Sequence, residues 1–165
     1  MLCITTVSYS DDVNESELKG VLLLKLPLFI EWPIDAFKNE KNLFSIGVFG
    51  NSEITKALKS FEGDTIKGKK IIIRSFNKIS DIKQCHIVYI CPTDIETIKK
   101  ILKNYKGKPI LFVGNQENFA KIGGIINFYK QEDRIKFEIN VDNSNFAGLK
   151  ISSKLLKLSK IIYNE

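Results

Sequence analysis

The side chains that could do chemistry are few and scattered along the chain. His86 is the only histidine, and it stands beside Cys85 at the start of an apolar run typical of a buried strand. A single histidine in such a place is more often a hydrogen-bonded structural residue than a catalyst. Ser152 and Ser153 precede Lys154, but neighbouring residues on a helix point in different directions, so a serine–lysine nucleophile is not favoured. We therefore expect the protein not to be an enzyme.

The cysteines give no sign of a metal site. Cys3, Cys85 and Cys91 show neither CxxC spacing nor a histidine at ligand spacing. Cys85 and Cys91 bracket one extended strand and would stand about 20 Å apart by strand rise, which is too far for a disulfide. We expect both thiols to be free unless Cys3 reaches one of them, and we expect no metal and no bound cofactor.

The turn from Gly47 to Ser52 could present backbone amides to a phosphate group. It lacks the GxGxxG spacing and the lysine of a P-loop, and no acidic residue stands at the end of the next strand to hold a ribose. Its strand tip, Phe49-Gly50, also lacks the carboxylate of a phosphoacceptor. A small-molecule or nucleotide site at Gly50–Ser52 is therefore the alternative to a binding protein without chemistry of its own.

The elements that would position these residues alternate between apolar runs and helical patterns, which is typical of a parallel sheet wrapped by helices. The predicted fold is α/β, a Rossmann-like three-layer sandwich with helices on both faces and a mainly parallel central sheet extended by an antiparallel C-terminal hairpin. The predicted sheet strands are Leu43–Phe49, Lys70–Arg74, His86–Ile90 and Pro109–Val113. The predicted helix signals are a Ser52 cap, a capping box from Thr93 to Glu96, a stop at Gly107 and a short helix from Gln116 to Ile122.

The C-terminal hairpin is predicted from strict alternation. Ile135, Phe137 and Ile139 would share one dry face of an antiparallel strand. A polar loop, Lys130–Asp133, would join this strand to the segment that begins at Gly124. The pair Gly123-Gly124 indicates a bend or a close packing contact.

One helix is predicted before the sheet strands in the chain, and one is predicted after them. The first should run from Glu15 to Ile30, with Asn14 as its cap and Glu17 completing a capping box. Pro27 should end or kink its regular part near residues 23–25.

The last helix should begin at Ser152 as N-cap, with Ile151 and Leu156 as a hydrophobic staple. Leu155, Leu158 and Ile162 would face the core at helical spacing, while the intervening lysines stay in water.

The 165 residues fit one domain, predicted at 15–165, and the hydrophobic content of 44% is typical of a folded protein. The net charge of +6 comes from dispersed lysines. These lysines lie either on solvated helix faces or on a weakly basic surface that would bind an acidic partner or anionic lipid, and no nucleic acid is expected as a partner.

Residues 1–14 are interpreted as the remnant of a signal peptide followed by an N-terminal arm, with small Ser8 and Ser10 where a signal peptidase cleaves. The longest apolar run, Val21–Ile30, is too short to span a bilayer.

Five separated strings closely resemble, in the same order, the YfiR family of exported bacterial proteins: FIEWP at 29–33, CHIVYI at 85–90, GGIINF, IKFEIN and AGLKISSKLLKLS. The likeness spans Glu15 to Ile162. The resemblance implies a periplasmic, non-enzymatic regulator that restrains a membrane-bound diguanylate cyclase by binding its periplasmic sensor region, so that cyclic-di-GMP output falls. Biofilm regulation would follow from that signalling role.

The resemblance also implies other partners. These are another receptor with a periplasmic sensor domain, an outer-membrane lipoprotein, and a second copy of the chain in a homodimer; close relatives of the domain serve as stand-alone sensor modules of receptors. In the family, the cysteine before the strand-three histidine often has a disulfide partner in the first strand. This chain has Gly47 at that place.

A recognition surface is predicted from five residues. Trp32, the only tryptophan, follows Glu31 at the end of the first helix, and Lys150 and Ser152 precede the last one, while Glu138 lies on the exposed face of the last predicted strand. If the two helices pack side by side, these residues would form one shallow patch for a protein or a small polar ligand. The alternative is that Trp32 plugs the core and Glu31 merely pairs with Lys150.

Overall fold

An eight-stranded sheet forms the centre of the molecule in the computed structural model, which describes residues 11–38, 40–50, 53–82 and 85–165. In chain order the strands are β1 Ile30–Glu31, β2 Leu43–Phe49, β3 Thr65–Ile66, β4 Lys69–Phe76, β5 Ile87–Ile90, β6 Leu111–Gly114, β7 Ile126–Gln131, β8 Arg134–Asn140, β9 Lys150–Ile151 and β10 Lys160–Ile162. The helices are α1 Asp11–Lys25, α2 Glu53–Lys59, α3 Ile95–Asn104, α4 Val141–Phe146 and α5 Ser153–Lys157, with short 3-10 segments at Leu26–Phe29, Ile34–Phe37 and Ile79–Asp81.

The sheet is mostly parallel, as the alternation of strands and helices predicted. Its order is β10-β8-β7-β6-β5-β2-β4-β3, and each neighbouring pair from β4 to β7 is parallel. The four predicted strands correspond to β2, β4, β5 and β6. The α/β class is confirmed, whereas the more specific Rossmann-like layout stays a prediction.

Helices cover both faces of the sheet. Successive residues of a strand point to opposite faces, so Ile87 and Tyr89 of β5 join the core beneath α1 and α2, whereas Val88 and Ile90 join the core beneath α3. All four are nearly inaccessible to solvent. This burial on both sides explains why the strand is continuously apolar.

The predicted hairpin is present as β7 and β8, paired from Ile126↔Ile139 to Gln131↔Arg134. Its loop is Glu132-Asp133, with φ angles of 50° and 58°, rather than the predicted four residues. Two consecutive residues with positive φ form the tight turn whose twist matches the flanking strands, so β7 continues two residues further, to Gln131, while β8 begins at Arg134 as predicted.

The glycine pair lies where a ring packs against the backbone, as predicted. A Cβ on Gly124 would stand 2.1 Å from Cε1 of Phe119, and one on Gly114 would stand 2.6 Å from Cδ2 of the same ring. Phe119 is 1% exposed. The predicted helix from Gln116 to Ile122 is wrong: the segment is a series of turns, since Asn118 adopts φ 64° and interrupts a right-handed helix.

Gly124→Ala is expected to lower the free energy of unfolding by about 1–3 kcal/mol, because the added methyl group must displace the Phe119 ring. Urea unfolding measures the loss. The matched comparison is the same substitution in a Phe119→Leu background, where the smaller side chain should relieve most of the clash. An equal loss in both backgrounds would show that the ring is not the cause.

The first helix ends where Pro27 predicted. α1 stops at Lys25, and Pro27 lies in the first turn of the 3-10 segment that follows, where its missing N–H costs no hydrogen bond. The predicted start is wrong, because α1 already includes Asp11 and Asn14 is therefore inside the helix. The side chain of Asn14 lies outside the described residues.

The C-terminal helix is shorter than predicted. Ser152 caps it, since the backbone N–H of Leu155 donates to Ser152 Oγ at 3.4 Å, but α5 ends at Lys157. Leu158, predicted in the core, is 75% exposed. Residues 160–162 leave the helix to pair in parallel with β8, because this pairing gives hydrogen-bond partners both to these residues and to the otherwise open edge at Glu138–Asn140.

The cap of α3 is Asp94 and not Thr93. The carboxylate of Asp94 accepts hydrogen bonds from the backbone N–H of Thr97 at 2.8 Å and from its hydroxyl at 2.7 Å. These bonds hold the pKa of Asp94 below its usual value. The predicted Ser52 cap of α2 lies outside the described residues.

The edge argument for a homodimer is corrected in part. The prediction left β8 as an exposed sheet edge, but β10 pairs with its last three residues, Glu138–Asn140. In the described part of the chain β10 does not pair with residues 134–137 of β8. The homodimer stays a prediction.

Candidate functional site

A two-stranded antiparallel ribbon joins the end of the first helical segment to the start of α5. β1 pairs with β9 through Ile30↔Ile151 and Glu31↔Lys150, and the N–H of Ser152 donates to the carbonyl of Phe29 at 2.8 Å. We call residues 30–32 and 150–152 the tryptophan ribbon. It brings four of the five predicted site residues together: Glu31, Trp32, Lys150 and Ser152.

Trp32 fixes the ribbon to the central sheet. Its Nε1 donates to the carbonyl of His86 at 3.2 Å, and its ring meets Phe44 edge-on at 5.4 Å between centroids. The side chain is half-buried rather than enclosed. Trp32 thus packs on the core with one part of its surface and leaves another part accessible.

Lys67 also belongs to this region, and the sequence analysis missed it. Its Nζ lies 5.8 Å from the centroid of the Trp32 ring and donates to the carbonyl of Ile30 at 2.6 Å. Lys67 and Gly68 form the turn between β3 and β4, with φ angles of 51° and 75°. The Lys-Gly pair could have indicated a turn, but only the tertiary structure shows that this turn reaches the tryptophan.

Glu138 takes part in a different set of contacts. It accepts hydrogen bonds from Asn127 Nδ2 at 3.2 Å and from Lys160 Nζ at 3.4 Å, and its side chain is 16% exposed. These are contacts of the eight-stranded sheet, and Glu138 lines a separate cavity of about 470 Å³ to which no residue of the ribbon contributes. The structure therefore shows no contact that would join Glu138 to the other four predicted residues.

That cavity, the polar groove, is built on the amide side chains of Asn115, which follows β6, and of Asn127 in β7. Asn127 is 2% exposed and accepts from the N–H of Gln116 at 3.1 Å. Asn115 Oδ1 is buried without a hydrogen-bond partner among the described residues. Glu15 lies at the rim, where hydrogen bonding to Lys19 lowers the pKa of its carboxyl group. The groove carries both signs of charge.

His86 is a structural residue, as expected for a lone histidine in a strand. The N–H of Ser45 donates to His86 Nδ1 at 2.9 Å, and Ser45 Oγ lies at the same distance. The ring stacks on Phe44 at 4.7 Å between centroids and is 3% exposed. Burial lowers the pKa of His86 to about 4, so the imidazole is neutral near pH 7 and accepts rather than donates at Nδ1.

Cys85 is a buried free thiol, as predicted, Cys91 is also buried, and Cys3 lies outside the described residues. Burial raises the pKa of the Cys85 thiol, which makes it unreactive near neutral pH. A Cβ on Gly47 would lie 3.1 Å from Cys85 Sγ, so position 47 does face this cysteine. Within the described residues no three histidine, cysteine or acidic side chains are grouped as metal ligands would be.

The turn after β2 gives the nucleotide alternative little support. The N–H of Gly50 donates to the carbonyl of Phe76 at 2.9 Å, and the N–H of Cys91 donates to the carbonyl of Phe49 at 2.9 Å. Both amides are therefore used within the sheet and cannot also bind a phosphate. Asn51 and the predicted Ser52 lie outside the described residues.

Comparisons with known proteins agree with this picture. The family model described as YfiR/HmsC-like matches residues 16–160. No curated protein matches the chain significantly. Within the described residues, no helix has the length and apolar character needed to cross a bilayer.

Two solved structures share the fold at low identity. One is the ABC domain from Streptococcus pneumonia in complex with L-Trp, with a TM-score of 0.57 and 11% identity over 89% of this chain and 60% of that one. The other is a conserved domain protein from Vibrio cholerae O1 biovar El Tor, with a TM-score of 0.57 and 15% identity over 88% of this chain and 59% of that one. The chain thus spans less than two thirds of either structure, and at such identity the likeness concerns the fold alone.

Proposed function

We propose, from the premise that the chain belongs to the YfiR/HmsC-like family, that it regulates a membrane diguanylate cyclase from the periplasm. The match over residues 16–160 is the observation that carries this proposal, since it extends over nearly the whole chain. Proteins of this family are periplasmic regulators and not enzymes.

The mechanism would be a shift between two states of the cyclase. The protein binds the periplasmic sensor region more tightly when the cyclase is in its inhibited state than when the cyclase is in its active state. Cyclic-di-GMP output therefore falls while the complex persists. A signal that weakens the complex restores output. An outer-membrane lipoprotein that competes for the same surface would be one such signal.

The tryptophan ribbon is the surface we assign to this contact. Glu31 and Lys150 are exposed and opposite in charge, and they are paired across the two strands. Trp32 is half-buried between them and the core, and Ile34, two residues further on, is 92% exposed. A fixed aromatic side chain beside an exposed aliphatic one and a charged rim is the usual composition of a protein-binding surface.

Lys150→Glu is expected to weaken binding of the cyclase's periplasmic sensor region at least about tenfold, since it places a second carboxylate opposite Glu31 and reverses the charge of the rim. Isothermal titration calorimetry with the purified sensor region measures the affinity. The melting temperature should change by less than about 2 °C, because Lys150 is exposed.

The matched control is Lys59→Glu, which makes the same change of charge on the exposed side of α2. This variant should bind as the wild type does. Unchanged binding by Lys150→Glu would exclude the tryptophan ribbon as the contact, and equal weakening by both variants would show a non-specific charge effect. Failure of the wild-type protein to bind any periplasmic sensor region of a cyclase would refute the proposed function itself.

A further inference from the structure

A cavity of about 540 Å³ opens where α3 ends, and none of its lining residues belongs to the tryptophan ribbon. We call it the basic groove. Among the described residues that line it there is no aspartate and no glutamate. Its rim carries five exposed lysines: Lys99, Lys103, Lys106, Lys108 and Lys121.

The floor of the basic groove is apolar. Leu102, Ile110, Phe112 and Ile125, all nearly buried, form its base. Phe146 of α4 forms one wall and is 63% exposed, so a large apolar side chain borders the cavity. The cavity therefore combines an apolar interior with a rim of one charge.

The Phe146 wall is held in place by its neighbours. Lys106 Nζ lies 5.3 Å from the centroid of the ring, within the range of a cation–π contact. A Cβ on Gly107 would lie 3.2 Å from Cε1 of Phe146, so the ring packs directly on the Gly107 backbone. These contacts keep the ring exposed beside the lysines.

In the described part of the chain, a carboxylate or a helix dipole offsets the charge of only two of the five rim lysines. Lys103 lies in the last turn of α3, where a cation offsets the helix dipole, and Lys99 pairs with Glu96 at 3.7 Å. Lys106, Lys108 and Lys121 lie outside the helices. In the described part of the chain no carboxylate comes within 4 Å of any of these three.

We propose that the basic groove binds a small amphipathic organic anion. The apolar body of the ligand lies on the floor and against Phe146, and its acidic group lies among the lysines of the rim. A cavity of this volume fits a molecule of ordinary ligand size. Inorganic phosphate or sulfate alone would leave the apolar floor unused. This inference is independent of the proposed contact with a cyclase.

The experiment uses 8-anilinonaphthalene-1-sulfonate as the probe, because it is an aromatic anion of this class whose fluorescence reports binding. We expect saturable binding to the wild-type protein. Raising the salt concentration from about 0.1 M to about 1 M should weaken this binding, since the Debye length falls from about 10 Å to about 3 Å. The neutral congener N-phenyl-1-naphthylamine should bind at least about tenfold more weakly.

The decisive variants keep the fold and change only the rim. The pair Lys103→Gln and Lys106→Gln should weaken probe binding at least about tenfold, whereas Lys103→Arg with Lys106→Arg should retain it. The control pair Lys56→Gln and Lys59→Gln removes the same charge from α2 and should have no effect.

Three results would overturn the proposal. The first is the absence of saturable binding to the wild-type protein. The second is equal affinity of the neutral congener, which would make the lysines irrelevant. The third is wild-type affinity in the Lys103→Gln, Lys106→Gln variant, or an equal loss in the α2 control, either of which would place the probe elsewhere. The melting temperature of each variant is measured as well. A loss of binding counts only in a variant whose melting temperature equals that of the wild type, so that it is separated from a loss of structure.

Discussion

Leu155→Ala is expected to lower the free energy of unfolding by about 2–5 kcal/mol. Leu155 is 4% exposed and belongs to the core beneath α1 and α2. It is the buried residue of α5, so its removal leaves a cavity at the contact that docks this short helix. Chemical denaturation monitored by Trp32 fluorescence measures the change.

Two neighbouring substitutions serve as controls for this prediction. Lys154→Ala and Leu158→Ala should each cost less than about 0.5 kcal/mol, because both side chains are exposed. The second control matters most, since it removes the same atoms as Leu155→Ala from a position three residues away. Similar losses at Leu155 and Leu158 would mean that α5 is docked through another face.

Acidification from about pH 6.5 to below about pH 4 is expected to remove about 3 kcal/mol of stability through His86 alone. Burial lowers the pKa of the folded imidazole from 6.5 to about 4. Between these two values the unfolded chain binds more protons than the folded one. The stabilisation is therefore fully present above about pH 6.5 and is lost as the pH falls through the folded pKa.

His86→Asn isolates this contribution, because an amide oxygen can accept the Ser45 N–H bond without titrating. Carboxylates that titrate over the same range are common to both proteins and cancel in the difference between their stability curves. We expect the wild-type protein to lose stability more steeply than the variant as the pH falls. Parallel curves would show that His86 titrates normally in the folded state.

The fold was largely predictable wherever one residue pattern determined one structure. The apolar run at Leu43–Phe49 became β2 with the predicted bounds, and the alternation of Ile135, Phe137 and Ile139 became β8. Pro27 ended the first helix because it has no backbone N–H to donate to a helical hydrogen bond, and this effect does not depend on any distant residue. These predictions held because their causes are local.

The length of the last helix was wrong because a distant segment competed for the same backbone. The helical spacing of Leu155, Leu158 and Ile162 was real, but residues 160–162 pair with β8 instead. The spacing of apolar residues cannot show that an unoccupied strand edge lies nearby. For the same reason the two-residue strands β1 and β9 were invisible in the sequence, since neither is a strand without the other.

The candidate site divides in the same way. The sequence indicated Glu31, Trp32, Lys150 and Ser152, and the structure brings these four together on the ribbon. Glu138 was assigned to the same patch because it lies on the exposed face of its predicted strand, yet its partners are Asn127 and Lys160. The site role of all five residues stays a prediction that the Lys150→Glu experiment can begin to test.

The sequence by itself determined the α/β class, the mostly parallel strands, the hairpin, and the family, because hydrophobic periodicity, turn residues and motif order are all properties of neighbouring residues. Only the tertiary structure decided which strands form the edges of the sheet, that Lys67 reaches Trp32, and that five lysines lie at the rim of the basic groove. Such juxtapositions depend on how separate elements pack. Backbone pairing and burial are satisfied jointly by distant segments, so no stretch of the chain carries that information alone.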